Sequence, residues 1–487
     1  MIIRLNKTAD LYRQLLVLMA CLKIAFRPIF LLALLLFTTL YATAQQQNHP
    51  IGVFDSGTGG LTVLQAIVTL DAFNNISGLP GADGVPDFKD ETFQYLADQA
   101  NMPYGNYAAA GKTALLKEHI LNGMDFFLNT SYQTLDGKNY IKHKKAPVKM
   151  VVVGCNTATA YALEDIVAFT NKKNTSVGVV GVINAGVKAT MEYQKNNPGT
   201  IGIFATAGTV ASNGYPNTIK MMAKKYCLQE PSIVSQGGIG LAEAIDKDWS
   251  YIGDTVTTVR TSYKGPSFTN TQLKIDPSLL PVYNFNTENN KLLCEAGPAG
   301  NCLEMQLNDA VNYVRYHLVT LLEKMNQENY MAPMNTLLLA CTHYPYLRDT
   351  ISAVLQELYH VKSDSGYRYR HVLAAYVELI DPAVETAKEA YVALRKHRLQ
   401  RQDDTAPQHG FFISVPNPSL KEIELQPDGW FTYEYKYGRV AGARKTYVRY
   451  VPFDTKNVSV DTYNRFSTAI PGVYHLLTGF VKGLPKN

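Results

Sequence analysis

Two strand-and-loop patterns occur twice in this chain, in the same order, and they constrain its fold more than any other feature. Ile51–Gly60 (IGVFDSGTGG) and Ile201–Val210 (IGIFATAGTV) each read as a short apolar strand entering a turn of Gly, Ser and Thr. Further on, Lys149–Ala160 (KMVVVGCNTATA) and Thr336–Leu347 (TLLLACTHYPYL) each deliver a cysteine, Cys155 or Cys341, at the end of a continuous apolar run. Such runs suit strands buried on both faces of a parallel sheet. Chance explains one echo easily but two in the same order poorly. The chain therefore reads as two related α/β halves, each with one Ser/Thr/Gly loop and one cysteine loop.

A lone cysteine is most often a small buried hydrophobe. Here both stand where open α/β sheets place ligands, outside the carboxyl ends of strands. Asn156 and Thr157 follow the first, and Thr342 and His343 follow the second. Two thiols presented from similar loops suit a reaction that takes a proton from one face of a carbon and returns one to the other.

The chain resembles the glutamate racemases, the cofactor-independent branch of the aspartate/glutamate racemase superfamily. The matching stretches, in the family's order, are GVFDSGTGGLTVL (52–64), MPYGNY (102–107), GCNTATA (154–160), IGIFATAGTVAS (201–212) and ACTHYPYL (340–347), with a weaker ELIDPAVETA (378–387). The resemblance spans roughly residues 50 to 415, with insertions. It implies two α/β domains with mostly parallel sheets and helices on both faces, and an active site in the cleft between them. It also implies that L- and D-glutamate are interconverted by two-base proton transfer at Cα, without cofactor.

Carried over by resemblance, Cys155 and Cys341 are the catalytic acid/bases. Asp55 assists the first and contacts the substrate amine, although an Asp in a DSG segment also suits capping of its own turn. His343 stands beside the second cysteine; alone it would more often be a satisfied structural histidine. Ser56, Tyr104, Gly105, Asn156, Thr157 and Thr342 match substrate-binding positions, and Thr206 and Thr209 are further candidates. The family places a glutamate near the second cysteine. Its counterpart here falls in GLAEAIDKD (240–248), with Asp246 the first choice and Glu243 the second.

Other classes are constrained by composition. A formal net charge of +5 is dispersed, with no basic stripe and interleaved aromatics, so nucleic acid is not implied. No second cysteine pair or nearby histidine gives zinc-ligand spacing, so no metal is expected. Cys294 and Cys302 close a small Gly/Pro loop suited to a local disulfide, and Cys227 reads as a buried structural thiol. The remaining alternatives are a racemase for aspartate or another amino acid, and a non-catalytic periplasmic amino-acid-binding protein. The expected partners are the small-molecule substrate and, in a homodimer, a second copy of the chain.

Lys23 and Arg27 precede the apolar run PIFLLALLLFTTLYATA, which ends in Ala42-Thr43-Ala44. This reads as a cleavable export signal over residues 1–44, removing Cys21. The long stretch before Lys23 makes Met19 a second candidate start; a periplasmic or secreted enzyme follows, with membrane contact only through an uncleaved signal, and a misassigned start would instead leave it cytoplasmic. The first domain is expected over 45–199, receiving a helix near 381–400. The second is expected over 200–415, with an insertion at 255–305 shaping or covering the cleft. Residues 416–487, where WFTYEYKYGR and TYVRYVPF alternate aromatic and polar residues, read as a β-rich extension.

Overall fold

The structure is a computed structural model that describes residues 46–484, apart from 137–138, 174–176, 299, 331, 365, 403–404, 406–407, 418 and 444–446. The expected leader over 1–44, with Cys21, lies outside the described residues.

The first half runs β1 (Ile51–Asp55), α1 (Gly60–Thr69), β2 (Phe93–Ala97), α2 (Thr113–Leu128), β3 (Ser131–Asp136), β4 (Asn139–Lys144), β5 (Met150–Val153), α3 (Asn156–Lys172), β6 (Gly178–Gly181) and α4 (Val182–Gln194). The second continues with β7 (Thr200–Ala205), α5 (Gly214–Lys225), β8 (Ile233–Gly237), α6 (Leu241–Ile245), β9 (Leu292–Ala296), β10 (Cys302–Leu307), α7 (Ala310–Gln327), β11 (Met334–Ala340), α8 (Arg348–Tyr359) and β12 (Leu373–Ile380). The chain ends with α9 (Pro382–Lys396), β13 (Gly410–Pro416), α10 (Tyr433–Gly438), β14 (Val448–Pro452), α11 (Val460–Ala469) and α12 (Pro471–Gly483).

Two sheets organise these elements. One has the order β14-β13-β2-β1-β5-β6, parallel except for the antiparallel β13/β14 pair; the other, β12-β11-β7-β8, is parallel throughout. The echoed strands occupy corresponding interior places, with β1 beside β5 and β7 beside β11. The cysteine strands are buried, MVVV in β5 throughout and MNTLLLA in β11 at every residue but Asn335, as doubly covered parallel strands require. Helix α4 belongs to the seam between the halves. Its Val182, Ile183, Val187 and Met191 pack against Ile201, Ile203 and Leu338 of the second sheet.

Three expectations are corrected here. Residues 410–415, assigned by sequence order to the second domain, join the first sheet as part of β13. Helix α9 carries the chain back, burying Ala387, Ala390 and Leu394 in the first core, and Phe411 and Ile413 are then buried between β2 and β14. The extension is not β-rich: β14 is its only strand beyond β13 among the described residues, beside three helices. The WFTYEYKYGR segment forms α10 because Thr432 Oγ1 caps it, accepting from the Tyr435 N–H at 3.1 Å. Tyr433 and Tyr437 then meet across one turn, with ring centroids 4.6 Å apart, and Tyr437 is buried against Tyr107. A period of two and a period of four coincide in that run, and the cap decides between them. Cys227, finally, is exposed, at a left-handed backbone position (φ 54°) just beyond α5.

The 255–305 insertion buries Leu273, Ile275 and Tyr283 in the second domain's core around α7. None of its hydrogen bonds among the described residues reaches the cysteine loops. Cys294 and Cys302 are disulfide-bonded across the β9/β10 hairpin. No helix of the described residues is long and apolar enough to cross a membrane.

Candidate active site

Cys155 is the N-cap of α3, and its Sγ accepts from the Ala158 N–H at 3.4 Å. The Sγ lies 3.6 Å from Ser56 Oγ. Asp55 ends the adjacent strand β1, buried beside this thiol, and its Oδ2 accepts from the Gly60 N–H at 2.6 Å. Burial pushes the Asp55 carboxyl above its ordinary value, against the pull of the Gly60 and Ser56 amides and the Cys155 thiol. Burial first, and the neighbouring Asp55 second, push the Cys155 thiol up to about 12. The helix N-terminus favours a thiolate, but desolvation outweighs it. Cys155 therefore rests as a thiol beside the buried Asp55 carboxyl group.

Cys341 follows β11 in a different setting. Its Sγ lies 3.8 Å from His343 Nδ1, and His343 Nε2 lies 3.2 Å from Asp246 Oδ2. Burial lowers the imidazole's proton affinity, but the bonds to Asp246 and Cys341 more than reverse this and raise its pKa to about 10. Burial raises Asp246, and the His343 hydrogen bond overcomes it, leaving that carboxyl below its ordinary value. Asp246 is thus the carboxylate paired with His343, ahead of Glu243 in the first turn of α6. Tyr344 anchors this loop from below, its buried hydroxyl donating to the carbonyls of Ala205 and Gly238.

The two loops meet across the seam. Asn156 Nδ2, one residue past Cys155, donates to the Ala340 carbonyl, one residue before Cys341, at 3.3 Å; Tyr215 OH holds Asn156 Oδ1 at 2.9 Å. A Cβ at Gly59 would stand 3.1 Å from Thr342 Oγ1 and 3.3 Å from Asp55 Oδ2, so glycine permits this approach. Gly105 likewise faces Gly208 across the seam, where a Cβ would come within 3.9 Å of the opposite Cα.

The other candidates fall around this seam with different commitments. Thr342 Oγ1 lies 3.3 Å from His343 Nδ1. Thr206 caps the short helix at 207–211, its Oγ1 accepting from the Thr209 N–H at 3.3 Å and lying 3.1 Å from Thr209 Oγ1. Thr157 lies in the first turn of α3. The Tyr104 hydroxyl is committed to Asp98 Oδ2 at 2.5 Å and the ring is buried. Tyr104 thus supports the loop that carries Gly105. Sequence reasoning missed Gly59, flagged only by its doubled glycine, and Tyr215, which no local pattern marks. A cavity of about 1240 Å³ lies away from this seam, lined by Phe93, Gln94, His409 and His475 among others.

No family model matches the chain. Its sequence is similar to the curated glutamate racemase of Levilactobacillus brevis, 26% identical over 368 residues, covering 76% of this chain and 87% of that relative. That of Lactobacillus johnsonii is 25% identical over 379 residues, covering 78% and 93%. Over about three quarters of its length the chain is thus similar to curated glutamate racemases. A solved glutamate racemase isoform from Bacillus anthracis aligns with 75% of this chain and 89% of its own, at 20% identity and a TM-score of 0.42. Among the described residues no group of three or more metal-ligating side chains is gathered.

Proposed function

We propose that this protein is a glutamate racemase that exchanges the Cα proton between Cys155 and Cys341. The observation that carries this is the hydrogen bond from Asn156 to the Ala340 carbonyl, which joins the two cysteine loops over a single seam. An amino acid lying there has one thiol toward each face of Cα. The thiolate of one cysteine takes the α-proton while the thiol of the other delivers one, and the roles exchange for the opposite enantiomer. An imidazolium at His343 favours a thiolate at its neighbour, and Asp55 receives and returns the proton of Cys155. Ser56, Asn156, Thr157 and Thr342 supply hydroxyl and amide groups suited to the substrate's carboxylates, and the Asp55 carboxylate suits its ammonium. Glutamate is favoured over aspartate by the relatives named above.

Purified protein incubated with L-glutamate or D-glutamate, without added pyridoxal phosphate, should approach the racemic mixture from either side. Turnover of aspartate but not glutamate would reassign the substrate, and dependence on an added cofactor would overturn the two-thiol reading. The apolar run ending at Ala44 further supports export, and with it recycling of amino acids outside the cytoplasm. N-terminal sequencing of the protein from cell fractions tests this. A chain starting near Gln45 outside the inner membrane is expected, and an intact Met1 or Met19 start in the cytoplasm would return it to biosynthesis.

A further inference from the structure

We propose that Arg465, in the C-terminal extension beyond the racemase resemblance, is a positioning residue for the Asp246–His343 pair. Only the kinetic consequence of this rests on the racemase reading. Helix α11 is fixed to the first domain: Tyr463, Phe466 and Ile470 are buried with Val473 and Leu477 of α12 in that domain's core. Its exposed face turns Arg465 toward the other domain. There Arg465 Nη1 donates to the Asp246 carbonyl at 3.2 Å, while Nη2 is braced by Thr462 Oγ1 at 3.4 Å.

Asp246 is the residue on which such a contact has most leverage. It is the C-cap of the single-turn helix α6, followed by Lys247 in a left-handed conformation (φ 57°). A five-residue helix holds its last residue weakly on its own. The carboxylate on this residue reaches His343 Nε2, and His343 Nδ1 faces Cys341 Sγ. Arg465 therefore steadies, from the opposite domain, the backbone that aims the carboxylate. The same contact straps the two domains together beside the cleft.

A mere neighbouring charge would act differently, and the sign separates the two. The ionisable groups facing His343 are Asp246 and Cys341, with Tyr346 and Arg465 acting on Asp246; Lys247 is paired with Asp254 at 2.8 Å. Removing a cation alone would raise the imidazole's proton affinity. Loosening the Asp246 hydrogen bond would lower it toward the ordinary value of about 6.5.

The test is an NMR titration of the His343 imidazole in the full protein, wild type against Arg465→Ala and Arg465→Lys. The expected result is a lower midpoint in R465A and recovery in R465K, which keeps a donor. A midpoint in R465A that stays or rises overturns the proposal. In racemisation assays R465A should lose about threefold to tenfold in kcat/KM, the size of one ordinary hydrogen bond, and lose nothing further in an Asp246→Asn background. If the wild type fails to racemise glutamate while the R465A midpoint falls, the function falls and the positioning role stands. Racemisation with an unmoved midpoint gives the reverse.

Discussion

Cys155 and Cys341 end equivalent strands of related halves, yet their surroundings are opposites. Cys155 is capped by a helix N-terminus and faced by a buried carboxylate, Asp55, with Ser56 beside it. Cys341 is faced by an imidazole that Asp246 keeps charged well into the alkaline range. One thiol has an anion for a neighbour and the other a cation. On the proposed two-thiol mechanism, the comparison teaches that a reaction symmetrical about Cα does not need a symmetrical site. It needs one group poised to give up a proton and one poised to take it, with a local partner for each.

The largest effect that sharpens this contrast is loss of either thiol. Cys155→Ala and Cys341→Ala should each reduce racemisation by about 10³-fold, since general acid–base contributions of 10²–10⁴ are usual; polarimetry with each enantiomer checks this. Enantiomers of free glutamate have equal free energy, so kcat/KM must match in both directions. The asymmetry of the two sides should therefore appear in kcat and KM separately, or in one-sided reactions such as elimination from a β-substituted substrate.

Next come the partners. Asp55→Asn and His343→Asn should each cost about 10²-fold. His343→Asn combined with Asp246→Asn should cost scarcely more than His343→Asn alone, because the two act in series on Cys341. Asp55→Asn combined with Asp246→Asn should be close to additive, because each serves a different thiol. A steady-state double-mutant cycle reads both patterns, and equal coupling in the two pairs would break the division into sides.

Chemical labelling reads the same contrast without turnover. At neutral pH, iodoacetamide should modify Cys155 at least about tenfold more slowly than exposed Cys227, because only the thiolate reacts. Cys341, beside the imidazolium, should react faster than Cys155. Peptide mapping of the timed reaction gives all three rates.

The smallest effect is on stability. The His343 pKa is raised in the folded state to about 10, from an unfolded value near 6.5. Its pairing therefore stabilises fully below pH ~6.5, and that contribution is lost as pH rises toward 10. The melting-temperature gap between wild type and His343→Asn should shrink over that window. A gap that grows would reverse the assigned sign.

Much of the site was legible because its chemistry is local. Each cysteine lies within two residues of the end of the apolar strand that positions it, and Asp55, Ser56, Asn156, Thr342 and His343 lie within three residues of a strand end. Asp246 was the first choice among two carboxylates, and its distance to His343 settles the pairing. What failed was non-local or depended on a cap. Residues 410–415 join the first sheet only because α9 crosses back, which sequence order does not reveal. Thr432 turns an alternating aromatic run into α10. Tyr215 and Arg465 act through bonds to Asn156 and Asp246, which lie far away in sequence. Cys227 looked like core, but it follows the last turn of α5 and points outward.

The most direct test of two opposed thiols is hydrogen exchange at Cα during the first few per cent of reaction in deuterated water. L-glutamate and D-glutamate are followed separately by NMR and chiral chromatography. Two thiols on opposite faces predict deuterium in nearly every product molecule, with recovered substrate still carrying its original hydrogen. Deuterium entering recovered substrate as fast as product would mean that one base serves both faces, and would contradict the division of labour between Cys155 and Cys341.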